Sequence, residues 1–366
     1  MTEALFQPIK LGAIDAPNRI LMAPLTRGRS TQPGSVPNEM MATYYRQRAG
    51  AGLILSEATG ITREGLGWPA APGVWSEEQV EGWKGVTSAV HEAGGRIACQ
   101  LWHMGRLVHP DFLDGEPPVS ASATCAPGHA HTPTGRQDYQ PARALGTDEV
   151  ARVVADYARA AANAMEAGFD GVQLHGANGY LVDQFLRRST NLRDDRYGGS
   201  TANRTRFLRE VLTALIAEIG ADRVGLRLSP NGETQGCDDI SPADTFGAAA
   251  GVAEELGIAY LELRQPGVDG TFGQTGVPKQ GTMIRDIFTG PLIFNSDYAG
   301  EDATRDVRLG RCDAISFGRP YISNPDLDQR LAQQAPLAPN KDVPASWYLP
   351  GPAGYIDYPT MAEEAA

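Results

Sequence analysis

The sequence predicts an α/β protein, a single (β/α)8 barrel spanning residues 1–366, with an N-terminal hairpin plug and a lid inserted after the third strand. Three observations lead there. Eight short, almost wholly apolar runs recur along the chain, each followed by a stretch with helical spacing, as expected of parallel strands covered on both faces. No G-x-G-x-x-G follows the first run, which weakens a doubly wound dinucleotide fold. Polar side chains end nearly every run, and barrels of this class carry their chemistry at the carboxyl ends of their strands. Counting elements alone does not separate a closed barrel from an open sheet.

In chain order, Gly12 and Asp15 lie between short apolar stretches, the pattern of a hairpin at the barrel floor. The runs are ILMAPLT from Ile20, GLILSEA from Gly52, RIACQLWH from Arg96 and DGVQLHGANGY from Asp170. RVGLRLSP from Arg223, AYLELRQP from Ala259, PLIFNSD from Pro291 and DAISFGRP from Asp313 complete them. Between them, Ser76 and Gln79 stand at capping-box spacing ahead of Val80 and Trp83. Val150, Val153, Val154, Tyr157 and Ala161 make one apolar stripe between Thr147 and Ala167. Ser241-Pro242 opens another helix with Pro at the favoured first position. Residues 104–146, rich in Pro, Ser and Gly, exceed an ordinary connection and read as the lid. The tail over 336–366 ends in GPAGYIDYP, whose aromatic residues suit packing over a barrel mouth.

A net charge of −12 argues against nucleic acid and anionic membrane as partners. An anion must therefore be held by a local site. No signal-peptide pattern or bilayer-spanning run is found, and Cys99, Cys125, Cys237 and Cys312 lie far apart, so a cytoplasmic protein without disulfides is expected. None of the four lysines ends a predicted strand, which argues against Schiff-base chemistry. His129 and His131 form the one H-x-H, within the insertion; a solvated loop reads better than a metal site, and no metal is expected.

The strand ends themselves are polar and cationic. Asn295-Ser296 and Gly318-Arg319 follow the seventh and eighth strands, where barrels commonly hold a phosphate; a plain turn with a surface arginine is the alternative. In His175-Gly176-Ala177-Asn178-Gly179-Tyr180, two glycines permit an irregular turn that aims His175 and Asn178 at one point. Two donors on one oxygen would stabilise an enolate, and Tyr180 could protonate the neighbouring carbon. The competing reading is a satisfied histidine and a capping asparagine. Arg227 is either a rim ion pair or a cation facing an electron-rich ring; Trp68, Trp102 and Tyr355 taken singly are core or lid packing.

Together these motifs resemble the Old Yellow Enzyme family of FMN-dependent ene-reductases, over nearly the whole chain. The resemblance rests on Ala23-Pro24-Leu25-Thr26, Gln100-Leu101-Trp102-His103, His175-x-x-Asn178-x-Tyr180, the run from Phe185 to Arg204, and Arg227-Leu228-Ser229-Pro230. Phe317-Gly318-Arg319 and Gly354-Tyr355-x-Asp357-Tyr358-Pro359 complete it. It implies a non-covalent FMN across the mouth, with Pro24, Leu25, Thr26 and Ala58 along the ring and Gln100 at its pyrimidine edge. Arg227 would stand near N1 and O2, His175 would belong to the cofactor shell as well as the catalytic set, and Asn295, Ser296, Gly318 and Arg319 would hold the phosphate. The implied cycle is ping-pong: NADPH or NADH gives hydride to the flavin, which passes it to the β-carbon of an α,β-unsaturated carbonyl or nitro compound. His175 and Asn178 hold the oxygen, Tyr180 protonates the α-carbon, and Thr26, Trp68, Trp102, Phe272 and Tyr355 shape the pocket. A monomer or weak homodimer is expected. Trp68 replaces the tyrosine of many relatives, Thr26 replaces the cysteine of one subgroup, and the iron–sulfur cysteines of larger relatives are missing.

Overall fold

Eight parallel strands close on themselves in a computed structural model that describes residues 3–270, 275–339 and 347–365. They are β1 (Ile20–Met22), β2 (Ile54–Leu55), β3 (Ile97–Trp102), β4 (Gly171–Gly176), β5 (Val224–Leu228), β6 (Tyr260–Arg264), β7 (Leu292–Asn295) and β8 (Ala314–Phe317). Each pairs with the next, and β8 pairs back onto β1, so no barrel edge is left open. Every residue of these strands is buried, which is why the runs show no polar–apolar alternation of a solvated sheet.

The outer ring is α1 (Glu39–Arg46), α2 (Glu77–Glu92), α3 (Thr147–Glu166), α4 (Arg206–Ile219), α5 (Pro242–Leu256), α6 (Gly281–Ile287), α7 (Gly300–Arg308) and α8 (Leu327–Gln333). Their starts follow local chemistry. Ser76 and Gln79 form the reciprocal capping box that opens α2. Pro242 occupies the first turn of α5, and Gly257, at φ 63°, ends it in the left-handed conformation. Along α3, Val150, Val153, Tyr157, Ala161 and Ala164 are buried, while Val154 is only partly covered. Full burial of one such large aliphatic side chain stabilises by about 1.5–3 kcal/mol, so the stripe fixes the helix on the barrel.

Below the barrel, Ile9–Leu11 and Ile14–Ala16 form an antiparallel hairpin. Its Leu11, Ile14 and Ala16 pack with Leu21, Leu55, Ala98, Tyr260 and Ile293 inside the strand ring. The turn requires Gly12 (φ 63°), because a Cβ there would lie 2.0 Å from the carbonyl oxygen of Asp222. At the other end the inserted residues 104–146 carry a second hairpin, His129–Thr132 with Gly135–Asp138. Leu107, Val108 and Ala126 of this insertion pack with Ala58, Leu66 and Trp102. The tail is tied to the loop after β1: Arg27 donates to the carbonyls of Trp347 (3.2 Å) and Gly354 (2.7 Å), and Arg29 donates to that of Trp347. All four cysteines are free thiols, and among the described residues no helix is long and apolar enough to cross a membrane.

Candidate active site

Strand register decides which polar side chains meet. Gln100 on β3 stands opposite Gln173 on β4, His175 opposite Arg227 on β5, Arg227 opposite Glu262 on β6, and Asn295 on β7 opposite Ser316 on β8. Facing partners in a parallel sheet share a side, so these groups converge inside the ring. Glu262 Oε1 accepts from Arg227 Nη1 and from the Ser316 hydroxyl, and its Oε2 accepts from Gln173 Nε2 at 2.8 Å. Gln173 Oε1 in turn accepts from Gln100 Nε2 at 2.8 Å. Arg227 Nη2 donates to Asn295 Oδ1 at 2.9 Å, and Asn295 donates to the Ser316 carbonyl. Such saturation is what a buried ion pair requires to offset its desolvation. One donor is left over: Arg227 Nε is buried without a partner.

Above this layer opens a cavity of about 690 Å³, within the range of cofactor sites. Pro24, Leu25 and Thr26 line one side, Trp68, Trp102, Asn178 and Tyr180 another, and Arg227 and Arg264 its base. Asn295, Ser296, Gly318 and Arg319 line the far end. There Ser296 (φ 121°) and Asp297 (φ 50°) hold the left-handed region, a strain of about 1–3 kcal/mol each that clusters at ligand clamps. Arg319 also pairs with Asp297, which lines the same end of the cavity.

The loop after β4 is built by its glycines. Gly176 has the Arg227 carbonyl oxygen 3.0 Å from where a Cβ would sit, and Gly179 (φ 79°) would bring one to 2.6 Å from the Thr234 carbonyl. Asn178 itself adopts φ 60°, its N–H donating to Ser229 Oγ at 2.8 Å, and its side chain has no hydrogen-bond partner among the described residues. It caps no helix: the following turn, Leu181–Leu186, starts at Tyr180 without a side-chain cap. The Tyr180 ring meets His175 and Trp102 edge-on, both at 4.9 Å. Burial pushes the Tyr180 phenol well up, so it stays protonated. Burial, with Arg227 and Arg264 adding to it, holds His175 well below its usual range, leaving a neutral ring. Its Nδ1 accepts from Ala177 N–H at 3.4 Å, which leaves Nε2 as the N–H donor. Burial and the neighbouring Arg227 lower Arg264 to about 10.

The positions expected from sequence fall into four groups. Pro24, Leu25, Thr26, Trp68, Trp102, Asn178, Tyr180, Arg227, Asn295, Ser296, Gly318 and Arg319 all line the one cavity. His175, Ala58 and Gln100 lie one layer back, buried among the residues that line it. Tyr355 departs from its expected place on the pocket wall: its ring stacks on Tyr44 at 4.2 Å under the Arg29 guanidinium, and Tyr348 and Trp347 line the cavity from the tail instead. Phe272 lies outside the described residues. The sequence reading missed Gln173, Glu262, Ser316 and Asp297; the polar residue embedded in each apolar run, aligned by register, was the available signal. His131 is exposed, as expected, but sits on the hairpin strand His129–Thr132 of the insertion and not in a loop, its ring 6.2 Å from that of Trp68.

A sequence profile described as the NADH:flavin oxidoreductase / NADH oxidase family matches residues 4–338. The solved structure of an Old Yellow Enzyme homologue from Zymomonas mobilis superposes with a TM-score of 0.95 at 55% identity, covering 97% of this chain and 99% of that one. The chain belongs to the Old Yellow Enzyme family. Morphinone reductase, a family neighbour, matches with a TM-score of 0.93 at 42% identity, over 99% of this chain and 97% of its own. The putative 12-oxophytodienoate reductase 11 of Oryza sativa subsp. japonica is 40% identical over 367 residues, 99% of each chain. As a family member this protein is a flavin oxidoreductase with FMN as cofactor and a reduced nicotinamide as electron source. Its cavity fits that cofactor on its own terms. Arg227, whose Nε has no partner among the described residues, would suit an electron-rich ring, and the positive-φ backbone at Ser296 and Asp297 with Arg319 would suit an anion.

Proposed function

We propose that this family member is an ene-reductase, reducing the C=C bond of α,β-unsaturated carbonyl or nitro compounds at the expense of NADPH or NADH. The observation that carries the reading is the side chain of Asn178, which lines the cavity beside Tyr180 yet makes no hydrogen bond among the described residues. Partly exposed to the cavity, with its Oδ1 unpartnered and its NH2 uncommitted among the described residues, this amide is available to a guest. Relatives named 12-oxophytodienoate reductase and morphinone reductase bear, in those names, substrates with an oxo group.

Bound FMN supplies the two-electron chemistry, taking hydride from the nicotinamide and giving hydride to the β-carbon. Asn178 and the neutral Nε2–H of His175 donate to the carbonyl or nitro oxygen, where negative charge grows. A neutral imidazole serves this step better than a cation, because it polarises the oxygen without giving up its proton early. Tyr180, protonated by burial, delivers the proton to the α-carbon. Arg227 would stabilise negative charge on the bound flavin, which Pro24, Leu25, Thr26, Ala58 and Gln100 would help to hold. Trp68 and Trp102 confine the alkene, a role also proposed for Phe272, whereas Tyr355 acts on the wall only through Tyr44 and the arginines of the β1 loop. Asn295, Ser296, Gly318 and Arg319 would hold the phosphate.

The test is direct. The purified yellow protein should consume NADPH or NADH anaerobically with 2-cyclohexenone or an N-substituted maleimide and form the saturated product in equal amount. Nicotinamide oxidation that proceeds only with dioxygen, and leaves every alkene intact, would overturn the proposal.

A further inference from the structure

Inside the strand ring, Gln100, Gln173 and Glu262 form a hydrogen-bonded line, each buried to within 1% of complete. A carboxylate can only accept, whereas a primary amide has one accepting and one donating end. Polarity is therefore dictated from the Glu262 end. Gln173 must turn its NH2 to Glu262 and its oxygen to Gln100, and Gln100 must turn its NH2 to Gln173. Besides the second N–H of its NH2, what Gln100 has left is Oε1, for which no hydrogen bond is found among the described residues. The same carboxylate takes Nη1 of Arg227 while Asn295 takes Nη2, so the guanidinium is fixed with Nε unspent.

We propose that Glu262 is a positioning residue that sets Gln100 as a hydrogen-bond acceptor toward the pyrimidine edge of FMN and orients the guanidinium of Arg227, always a donor, beside it. That edge carries a single N–H between two carbonyl oxygens, so it needs one acceptor flanked by donors. The inference rests on the reading that this edge lies against Gln100; it does not depend on which alkene is reduced. Glu262→Gln conserves volume but adds a donor. Its amide oxygen still accepts from Arg227 and Ser316, and its NH2 now faces Gln173. Both glutamines must then reverse, and Gln100 presents NH2 where the flavin N–H approaches.

The test compares FMN with 3-deaza-FMN, in which C–H replaces that N–H, by fluorescence quenching on reconstituted apoprotein. The parent should bind the deaza analogue about tenfold more weakly, the scale of one buried acceptor left unmet. Glu262→Gln should bring the ratio near one and raise the flavin reduction potential, because a carboxylate beside Arg227 is gone. Gln173→Leu keeps that charge and cuts the line, so it should lower the ratio while leaving the potential in place; it also carries the test if the first variant does not fold. A parent that binds both flavins equally would remove the premise that the pyrimidine edge meets Gln100. A parent that discriminates, with variants that discriminate as well as it does, would overturn the role given to Glu262.

Discussion

Replacing Asn178 by glycine isolates what its amide does. The residue sits at φ 60°, where an alanine costs about 1–2 kcal/mol relative to a right-handed conformation, so Asn178→Ala would mix backbone strain with loss of the amide. Glycine adopts that conformation freely, and the N–H bond to Ser229 Oγ survives in either variant because it is a main-chain donor. The side chain makes no hydrogen bond among the described residues, so truncation strands no partner there. Folding should barely change in Asn178→Gly, whereas the alanine variant should melt a few degrees lower, at about 2–4 °C per kcal/mol for a large domain. Loss of one donor to a developing oxyanion slows reaction by about 10²–10³. Anaerobic stopped-flow mixing of the dithionite-reduced variant with 2-cyclohexenone should therefore show reoxidation slowed by that factor at unchanged FMN content. Reoxidation at the parent's rate in the glycine variant would refute the assignment of this amide to the substrate oxygen.

Three other expectations can be checked alongside it. Tyr180→Phe should slow enone turnover by about 10²–10⁴, with nitroalkenes, whose reduced anions persist long enough to take a proton from water, affected far less; equal losses for both would point to another proton source. His175 is held neutral by burial and by Arg227 and Arg264, so its folded pKa lies below its unfolded value of 6.5. Its contribution to stability is complete above that value and declines as pH falls, because the unfolded chain takes up the proton first. Denaturant unfolding at pH 7.5 and 5 should show a smaller acid loss for His175→Gln than for the parent, and identical losses would contradict the shift. Asp297 is paired with Arg319 at the end of the cavity where a phosphate is proposed to lie. Asp297→Asn should tighten FMN binding several-fold, since a dianion no longer faces a carboxylate; weaker binding by fluorescence titration would place the phosphate elsewhere.

Much of this architecture could be read from residue patterns, and the exceptions have physical causes. Strand runs announce themselves because both faces are covered, and their last polar residues (Arg227, Asn295) do reach the cup. Glu262 was hidden by the same feature. Flanked by Leu261 and Leu263 in a buried strand, it looks like a rim residue until register shows it beside Arg227. Asn178 was legible as a candidate because glycines frame it, yet its choice between capping and waiting for a ligand depended on φ and on missing partners, which a sequence does not carry. The tail fared worst. Without periodicity, Tyr348 and Tyr355 are indistinguishable by type, and only the pull of Arg27 and Arg29 on the chain between Trp347 and Gly354 decides which one turns to the cavity.

The hairpin beneath the barrel has a kinetic consequence. Leu11, Ile14 and Ala16 pack against strand residues at the lower end, so under the proposed function both reactants would enter by the cavity at the opposite end. If nicotinamide and alkene share that berth, as the proposed function implies, they would exclude one another, so an excess of either should depress turnover, and the best dose of one should shift with the supply of the other.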